Sequence, residues 1–368
     1  MDINIVVTYT FLSAAFSLII ALPIIRLLYK FKIVRLIDKD FTSIINSRRL
    51  KMGTPIMGGL IVVIAVLVIN LLFNLNGSTK IPLFVFAISA ILGAFDDVLN
   101  IYGRERPVRS IMRTLRLARV HASPWMRIFY IITLPWAAFK WIFYLLGSNP
   151  GKGIQAHEKI IVQVIVGAIV AWWIYAGSGW ANPSEMWVPW LGSIDIGILI
   201  IPLIIFVIVF TANAVNFTDG MDGLAGGLLL LAFMGFLVIA YLNGDTSIAI
   251  IISTVMGSLL IYIYFNIPPA RFQMGDVGSL ALGTLLATVG FALNRQFLLP
   301  IFGIFFVIEL LSTIVQGLAR RLLGRRLLKM TPLHHHLEMI GWPEHKIVMR
   351  AWVLAPIFII IGVWLNQF

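Results

Sequence analysis

Cysteine is absent from the 368 residues. Disulfides, thiolate metal sites and a cysteine nucleophile are therefore excluded, and any metal must sit on oxygen or imidazole. Charge is scarce as well: charged residues make up 12% of the chain against 60% hydrophobic ones, and the mean hydropathy is +0.96. One soluble core cannot hide that much apolar surface, so the composition excludes an ordinary soluble domain and points to a bilayer. No fixed-period repeat is present, which excludes a solenoid. The charge that remains is lopsided, with 28 Lys and Arg against 16 Asp and Glu, a formal net of +12. Such an excess invites nucleic acid as a partner, but loops facing anionic membrane lipid account for it without nucleic acid.

Apolar runs near 4–29, 54–74, 81–99, 159–177, 195–212, 222–242, 246–265, 277–294, 297–319 and 347–367 predict an all-α, polytopic membrane protein of about ten transmembrane helices. The chain, 1–368, reads as a single transmembrane domain. Its first run, from Ile3 to about Leu28, exceeds the apolar part of a signal peptide and lacks a small-residue cleavage site, so it reads as a retained helix. If the helices alternate, loops 30–53, 100–158, 213–221, 266–276 and 320–346 share one side. Only Lys80 and Arg295 fall in loops of the other side. The positive-inside rule then makes the first side cytoplasmic and places both termini outside.

Residues 101–152 interrupt this pattern. Arg109, Arg113, Arg116 and Arg119 follow helical spacing, as in a helix lying on an anionic membrane surface. The aromatic, apolar stretch Trp125–Leu146 is long enough to span. A single crossing, however, would turn Arg320, Arg321, Arg325, Arg326 and Lys329 outward, against the charge bias. The segment reads as a basic and apolar cytoplasmic insertion, part surface helix and part interfacial or re-entrant helix; an eleventh span is the alternative.

Five clusters carry chemistry, all on the basic side. Asp96 and Asp97 follow a long apolar run, where ionisable acids are costly and are normally functional, paired or metal-bound; a solvated helix end is the plainer alternative. Adjacent helical positions point about 100° apart, so the two acids can do different jobs. In NAVNFTDGMDGLAGG, Asn213, Asn216, Asp219 and Asp222 recur every third residue. On a helical turn they form one polar stripe suited to a ribose, an amide or a hydrated cation. Glycines 220, 223, 226 and 227 let a ligand approach the backbone, although Asn and Gly are also common loop residues. Asn266 and Asp276 bracket a short Pro-containing loop. Asp276 alone is best read as a helix cap, but beside the other acids it becomes a candidate Mg²⁺ ligand with Asp96 and Asp97. His334, His335 and His336 cannot all face one metal from a regular helix, so phosphate binding or proton transfer suits them better than zinc; an incidental polar tract is the alternative. Lys51, before GTPIMGG, adds a cation.

Together KMGTPIMGG, the DD pair, NAVNFTDGMDGLAGG, MGDVGS and PLHHHLEMIGWPEHK resemble the polyprenyl-phosphate N-acetylhexosamine-1-phosphate transferases, over nearly the whole chain except 101–152. The His-containing block is most similar to the branch that uses UDP-MurNAc-pentapeptide. The resemblance implies transfer of phospho-MurNAc-pentapeptide to undecaprenyl phosphate, giving lipid I and UMP with Mg²⁺, by a homodimer in contact with membrane lipid. It also implies a bacterial inner (plasma) membrane as the location, with the active site on the cytoplasmic face. It places Asp96, Asp97, Asp276 and His334 in the catalytic centre. Lys51, Asn213, Asn216, Asp219, Asp222 and Asn266 fall in the nucleotide and sugar-phosphate pocket, with His335 and His336 also on substrate, and Lys159 lies near the lipid-phosphate groove. Two positions depart from the family pattern: Asn100 stands where Lys is common, and Gln273 where a Phe is common as a uracil platform, with Phe272 one place earlier.

One expected mechanism has Mg²⁺ on Asp276 neutralising the departing UMP while Asp96 or Asp97 assists attack by the lipid phosphate. The other is a two-step route through a phospho-sugar on an Asp carboxylate. A relative using UDP-GlcNAc is the nearer alternative function. A secondary transporter is disfavoured because its acids would lie near the bilayer midplane.

Overall fold

Asp2 caps the first helix: its Oδ1 accepts from the Asn4 N–H at 2.9 Å, and α1 runs from Ile3 to Lys30. In this computed structural model residues 2–34, 52–103, 111–145, 153–177 and 183–368 are described. Helices α2 (Leu60–Phe73) and α3 (Gly77–Tyr102) follow, and α3 starts from a reciprocal capping box between Asn76 and Thr79. The insertion forms α4 (Ile111–Val120), α5 (Pro124–Ile132) and α6 (Leu134–Leu145). Next come α7 (Ala156–Gly177), a two-stranded antiparallel hairpin of β1 (Glu185–Val188) and β2 (Gly192–Asp195), and α8 (Ile200–Thr218). The chain continues through α9 (Leu224–Asn243), α10 (Thr246–Asn266) and α11 (Gly275–Ala292). It ends with α12 (Leu299–Phe302), α13 (Ile304–Leu322), α14 (Leu333–Met339) and α15 (Glu344–Leu365).

Among the described residues eight helices are long and apolar enough to cross a membrane. Two apolar runs deviate from simple spans. The run at 297–319 breaks at Gly303, where its two halves meet at 79°. The run at 54–74 yields only the 14 residues of α2. Its beginning is claimed by backbone pairing with another motif: Gly58 and Gly59 donate to the Gln273 and Met274 carbonyls at 2.8 and 2.9 Å, and Gln273 donates back to Pro55 at 2.8 Å. The Trp125–Leu146 stretch is likewise divided, at Thr133, because Pro135 can open a helix but cannot continue one.

The bundle is built around α11, which packs on α3, α8 and α2, while α10 packs on α1, α9 and α2. In their most apolar windows α11 and α10 are 83% and 78% buried, against 28% for α1. The interior is thus two central helices wrapped by others whose outer faces remain apolar, as a protein solvated by lipid requires. Small residues permit the closest contact. A Cβ on Gly93 of α3 would strike the Asp276 carbonyl and the Val277 nitrogen, so α3 touches the backbone of α11 at its first turn.

Gly93→Ala is expected to lower the apparent melting temperature of the purified protein. Overpacking of about 1–3 kcal/mol should exceed the ~1 kcal/mol that alanine gains in helix propensity. Gly77→Ala, with nothing within 4 Å of its new Cβ, is the control. Equal melting of the two variants would refute the close contact.

Candidate active site

Helix ends deliver the polar motifs to one end of the bundle. Asp96 and Asp97 lie in the last two turns of α3, Lys159 in the first turn of α7, Asn213 and Asn216 near the end of α8, and Asp276 in the first turn of α11. Lys159 Nζ lies 2.6 Å from Asp96 Oδ2 and 2.5 Å from Asp276 Oδ2, with the lysine side chain only 13% exposed. Three helices are therefore pinned by one ammonium. The other Asp96 oxygen accepts from the Ile154 N–H at 2.6 Å, and Asp276 Oδ1 accepts from Asn216 Nδ2 at 2.7 Å. Asn216 Nδ2 also donates to Ser279 Oγ at 2.9 Å.

Asp97 points elsewhere, as the 100° offset allows. Its two oxygens accept from the Asp276 and Val277 N–H groups at 3.1 and 3.0 Å. Asp97, supplied by another helix, thus satisfies amides at the start of α11, the capping function that the sequence alone suggested for Asp276 itself.

The polar stripe expected from Asn213 to Asp222 does not form, because α8 ends at Thr218. Asn213 Nδ2 donates to Gln163 Oε1 at 2.7 Å; Asp219, the C-cap, accepts from the Gly275 N–H at 3.2 Å. Asp222 lies past the turn, accepting from the Ala270 N–H at 3.3 Å while its own N–H donates to Glu344 Oε1 at 2.7 Å. Asn266, 3% exposed, spends its amide on the backbone: Oδ1 accepts from Gly223 at 2.9 Å and Nδ2 donates to the Phe272 carbonyl at 2.8 Å. It frames the site. The glycines of this loop admit the protein's own side chains rather than leaving open approaches: a Cβ on Gly220, Gly226 or Gly227 would meet His334, Tyr262 or Trp352. Gly223 has φ +80°, a left-handed backbone that suits glycine.

The three histidines diverge. His334 Nδ1 is 3.1 Å from Glu309 Oε2, and its N–H lies 3.2 Å from both Glu309 oxygens. His335 Nδ1 is 3.2 Å from Glu338 Oε2, and His336 Nδ1 accepts from the Lys329 N–H at 3.2 Å. His334 is 1% exposed, and its Nε2, directed at Gly220, has no hydrogen-bond partner. Gln163 Nε2, one turn after Lys159, is also buried and unpartnered. Buried polar atoms are rarely left so.

Lys51 lies outside the described residues. Glu309, Gln163, Ser279 and Glu344 escape the sequence reading. Glu309 carried a usable signal, being an acid inside an apolar run, and Ser279 and Glu344 lie inside MGDVGS and PLHHHLEMIGWPEHK without a local feature that sets them apart. At the two departures from the family pattern, Asn100 lies against Gly153, where a Cβ would strike both its amide and Asp96. Phe272 is fully buried, its ring centroid 5.4 Å from that of Tyr262 and 5.9 Å from that of Phe265. Neither 272 nor 273 offers an aromatic face for stacking.

Among the described residues no three acidic or histidine side chains form a ready-made metal cage. Asp96 and Asp276 nonetheless converge on one cation, Lys159 Nζ, and with Asp97 they supply three carboxylates against one ammonium. A pair of carboxylates completed by water and phosphate oxygens is how Mg²⁺ is ordinarily held, so these residues fit that ion.

Residues 151–294 match glycosyl transferase family 4. The chain is similar to proteins named phospho-N-acetylmuramoyl-pentapeptide-transferase in several bacteria. It is 33% identical to that of Geobacillus sp. (strain WCH70), over 87% of this chain and 86% of the relative. Identity is 33% to that of Clostridium novyi (strain NT), over 94% and 92%. For Clostridioides difficile (strain 630) it is 31%, over 95% and 94%.

Asp97→Ala is expected to orphan two amides at the start of α11 and destabilise the protein by about 2–4 kcal/mol. Asp97→Asn, which keeps one acceptor oxygen, should lose roughly half as much. Thermal unfolding in one detergent ranks the pair; wild-type melting of the alanine variant would refute the capping role.

Proposed function

For a chain that belongs to the phospho-N-acetylmuramoyl-pentapeptide transferase family, we propose transfer of phospho-MurNAc-pentapeptide from its UDP carrier to undecaprenyl phosphate, giving lipid I and UMP. The observation that carries the reading is the convergence of Asp96, Lys159 and Asp276 at the ends of three membrane helices. An oxygen of the lipid phosphate attacks the donor phosphorus that carries the sugar. A new diphosphate bond forms as the bond to the uridine phosphate breaks, and UMP leaves with that electron pair. Positioning and charge stabilisation are most of what such a reaction asks of a protein.

Lys159 balances charge on the reacting phosphates, and Asp96 takes the proton of any lipid phosphate that arrives protonated. Asn216 orients Asp276. His334, with Nδ1 turned to Glu309, offers Nε2 to the donor across the Gly220 turn. We assign Mg²⁺ to Asp276 and Asp96 with substrate oxygens; when bound it neutralises charge developing on the leaving group. Direct transfer is the better-supported route. Both oxygens of Asp97 are engaged by the backbone amides that start α11, which holds that carboxylate away from attack on phosphorus.

An apolar cavity of about 310 Å³ supports a lipid acceptor. It is lined by Phe206, Phe210 and Ala214 of α8, Leu286 of α11, and Pro300 and Phe306 on either side of the Gly303 break. The same α8 continues to Asn216. The positive-inside bias supports a cytoplasmic site in a bacterial plasma membrane, and the family resemblance supports a homodimer.

Purified protein given undecaprenyl phosphate and UDP-MurNAc-pentapeptide is expected to release UMP, with activity lost to a chelator and restored by Mg²⁺. Lys159→Met and His334→Ala should each lower kcat by on the order of 10²-fold or more. Release of UMP from UDP-GlcNAc and not from the muramoyl donor would sink the assignment, and a phospho-sugar trapped on Asp96 or Asp97 would sink direct transfer.

A further inference from the structure

The insertion has a chemistry of its own. From Arg106 to His157 the sequence contains Arg106, Arg109, Arg113, Arg116, Arg119, Arg127, Lys140 and Lys152, and no Asp or Glu. So long a stretch of one sign draws an anionic surface toward it. Helix α4 sorts its residues by face. Thr114 and Ala118 are buried, while Arg113, Arg116 and Arg119 are exposed and share one side with Met112 and Val120, which are 76% and 72% exposed. Cations interleaved with bare apolar side chains suit neither water nor a protein core. They suit the boundary where headgroups meet acyl chains, with the arginine stems extended along apolar surface.

Helix α5 packs on α4 and adds an apolar face. Trp125, Ile128, Phe129 and Ile132 fall within roughly 100° of its circumference and are exposed, Trp125 at 81%. At nine residues α5 is too short to span a bilayer. We propose that α4 and α5 form a docking surface for anionic phospholipid headgroups, with the arginine face of α4 on the phosphates and the Trp125 face of α5 in the acyl boundary. The surface is tied to the ion cluster. In α6, which touches α4, α5 and α7, the Trp136 ring centroid lies 5.4 Å from that of His157, two residues before Lys159. The chain leaving the insertion also donates the Ile154 N–H to Asp96.

The absence of cysteine makes the test site-specific. Val120→Cys, labelled with an environment-sensitive fluorophore, is reconstituted in nanodiscs of phosphatidylcholine alone or with about one-third phosphatidylglycerol, each with a lipid-tethered quencher. Quenching is expected in the anionic discs, weak in the neutral ones, and reversed by salt as the Debye length falls from about 30 Å at 0.01 M to about 3 Å at 1 M. Each arginine near such a surface contributes on the order of fivefold. Replacing Arg113, Arg116 and Arg119 together by Gln should therefore weaken the phosphatidylglycerol dependence on the order of a hundredfold. Because the salt arm uses the native arginines, a misfolded triple variant leaves the test decisive. Quenching that is equal in the two lipids and insensitive to salt would overturn the proposal, as would displacement by millimolar inorganic phosphate, which would make the occupant a soluble phosphate. Neither outcome depends on UMP release, so the surface and the proposed reaction stand or fall separately.

Discussion

The Lys159 ammonium, shared between Asp96 and Asp276, is the constraint on which the active end of this bundle depends. Each of the three groups comes from a different helix, and none would be tolerated alone in so apolar a setting. Their mutual pairing offsets the cost of burying them, and the loss of one partner from a buried ion pair typically costs about 3–5 kcal/mol. The ends of α3, α7 and α11 are therefore held in register by electrostatics, where apolar packing between lipid-solvated helices would discriminate weakly. The cluster also has more carboxylates than ammoniums, so the arrangement that fixes the fold leaves a net negative charge at the ends of these helices.

Close backbone approach makes that cluster possible. Without a side chain at Gly93, α3 reaches the first turn of α11 closely enough for Asp97 to accept its amides. On the other side of the same turn, Gly59 meets Gly278, and the GTPIMGG segment exchanges backbone hydrogen bonds with Gln273 and Met274. Asp276 is thereby fixed from two directions before its own side chain makes a contact. Much of the glycine in these motifs serves protein packing, and at this end of the bundle the His334 Nε2 and Gln163 Nε2 nitrogens are buried and unpartnered.

The helical character and most of the polar cluster were legible in the sequence because membrane solvation writes both plainly: apolar runs have a fixed length, and acids beside them are costly. What was not legible depends on contacts between distant segments. Nothing local reveals that Asp97 caps a helix 179 residues further along, or that the start of the 54–74 run pairs with Gln273 and so shortens α2 to 14 residues. The threefold spacing from Asn213 to Asp222 suggested one stripe, but the helix stops at Thr218 and the turn sends the two acids to different partners. Glu309 sat in an apolar run as an intramembrane acid, and its partner His334 lay in a motif already singled out. The pairing was within reach of sequence reasoning; the orphaned Nε2 was not.

Asn100 shows how the insertion and the ion cluster fit one another. A lysine there would put a long cation beside Asp96, in space bordered by Gly153, whose backbone already lies against the Asn100 amide. The return of the insertion at that point brings the Ile154 N–H to the Asp96 oxygen that Lys159 leaves available. An amide dipole, fixed by the backbone and independent of pH, thus does part of what a mobile side-chain cation would do. The short residue at position 100 lets the returning chain come close, and the returning chain supplies the donor. On this geometry the departure from the family pattern is a consequence of how the insertion rejoins the bundle, and the two features belong to a single structural solution.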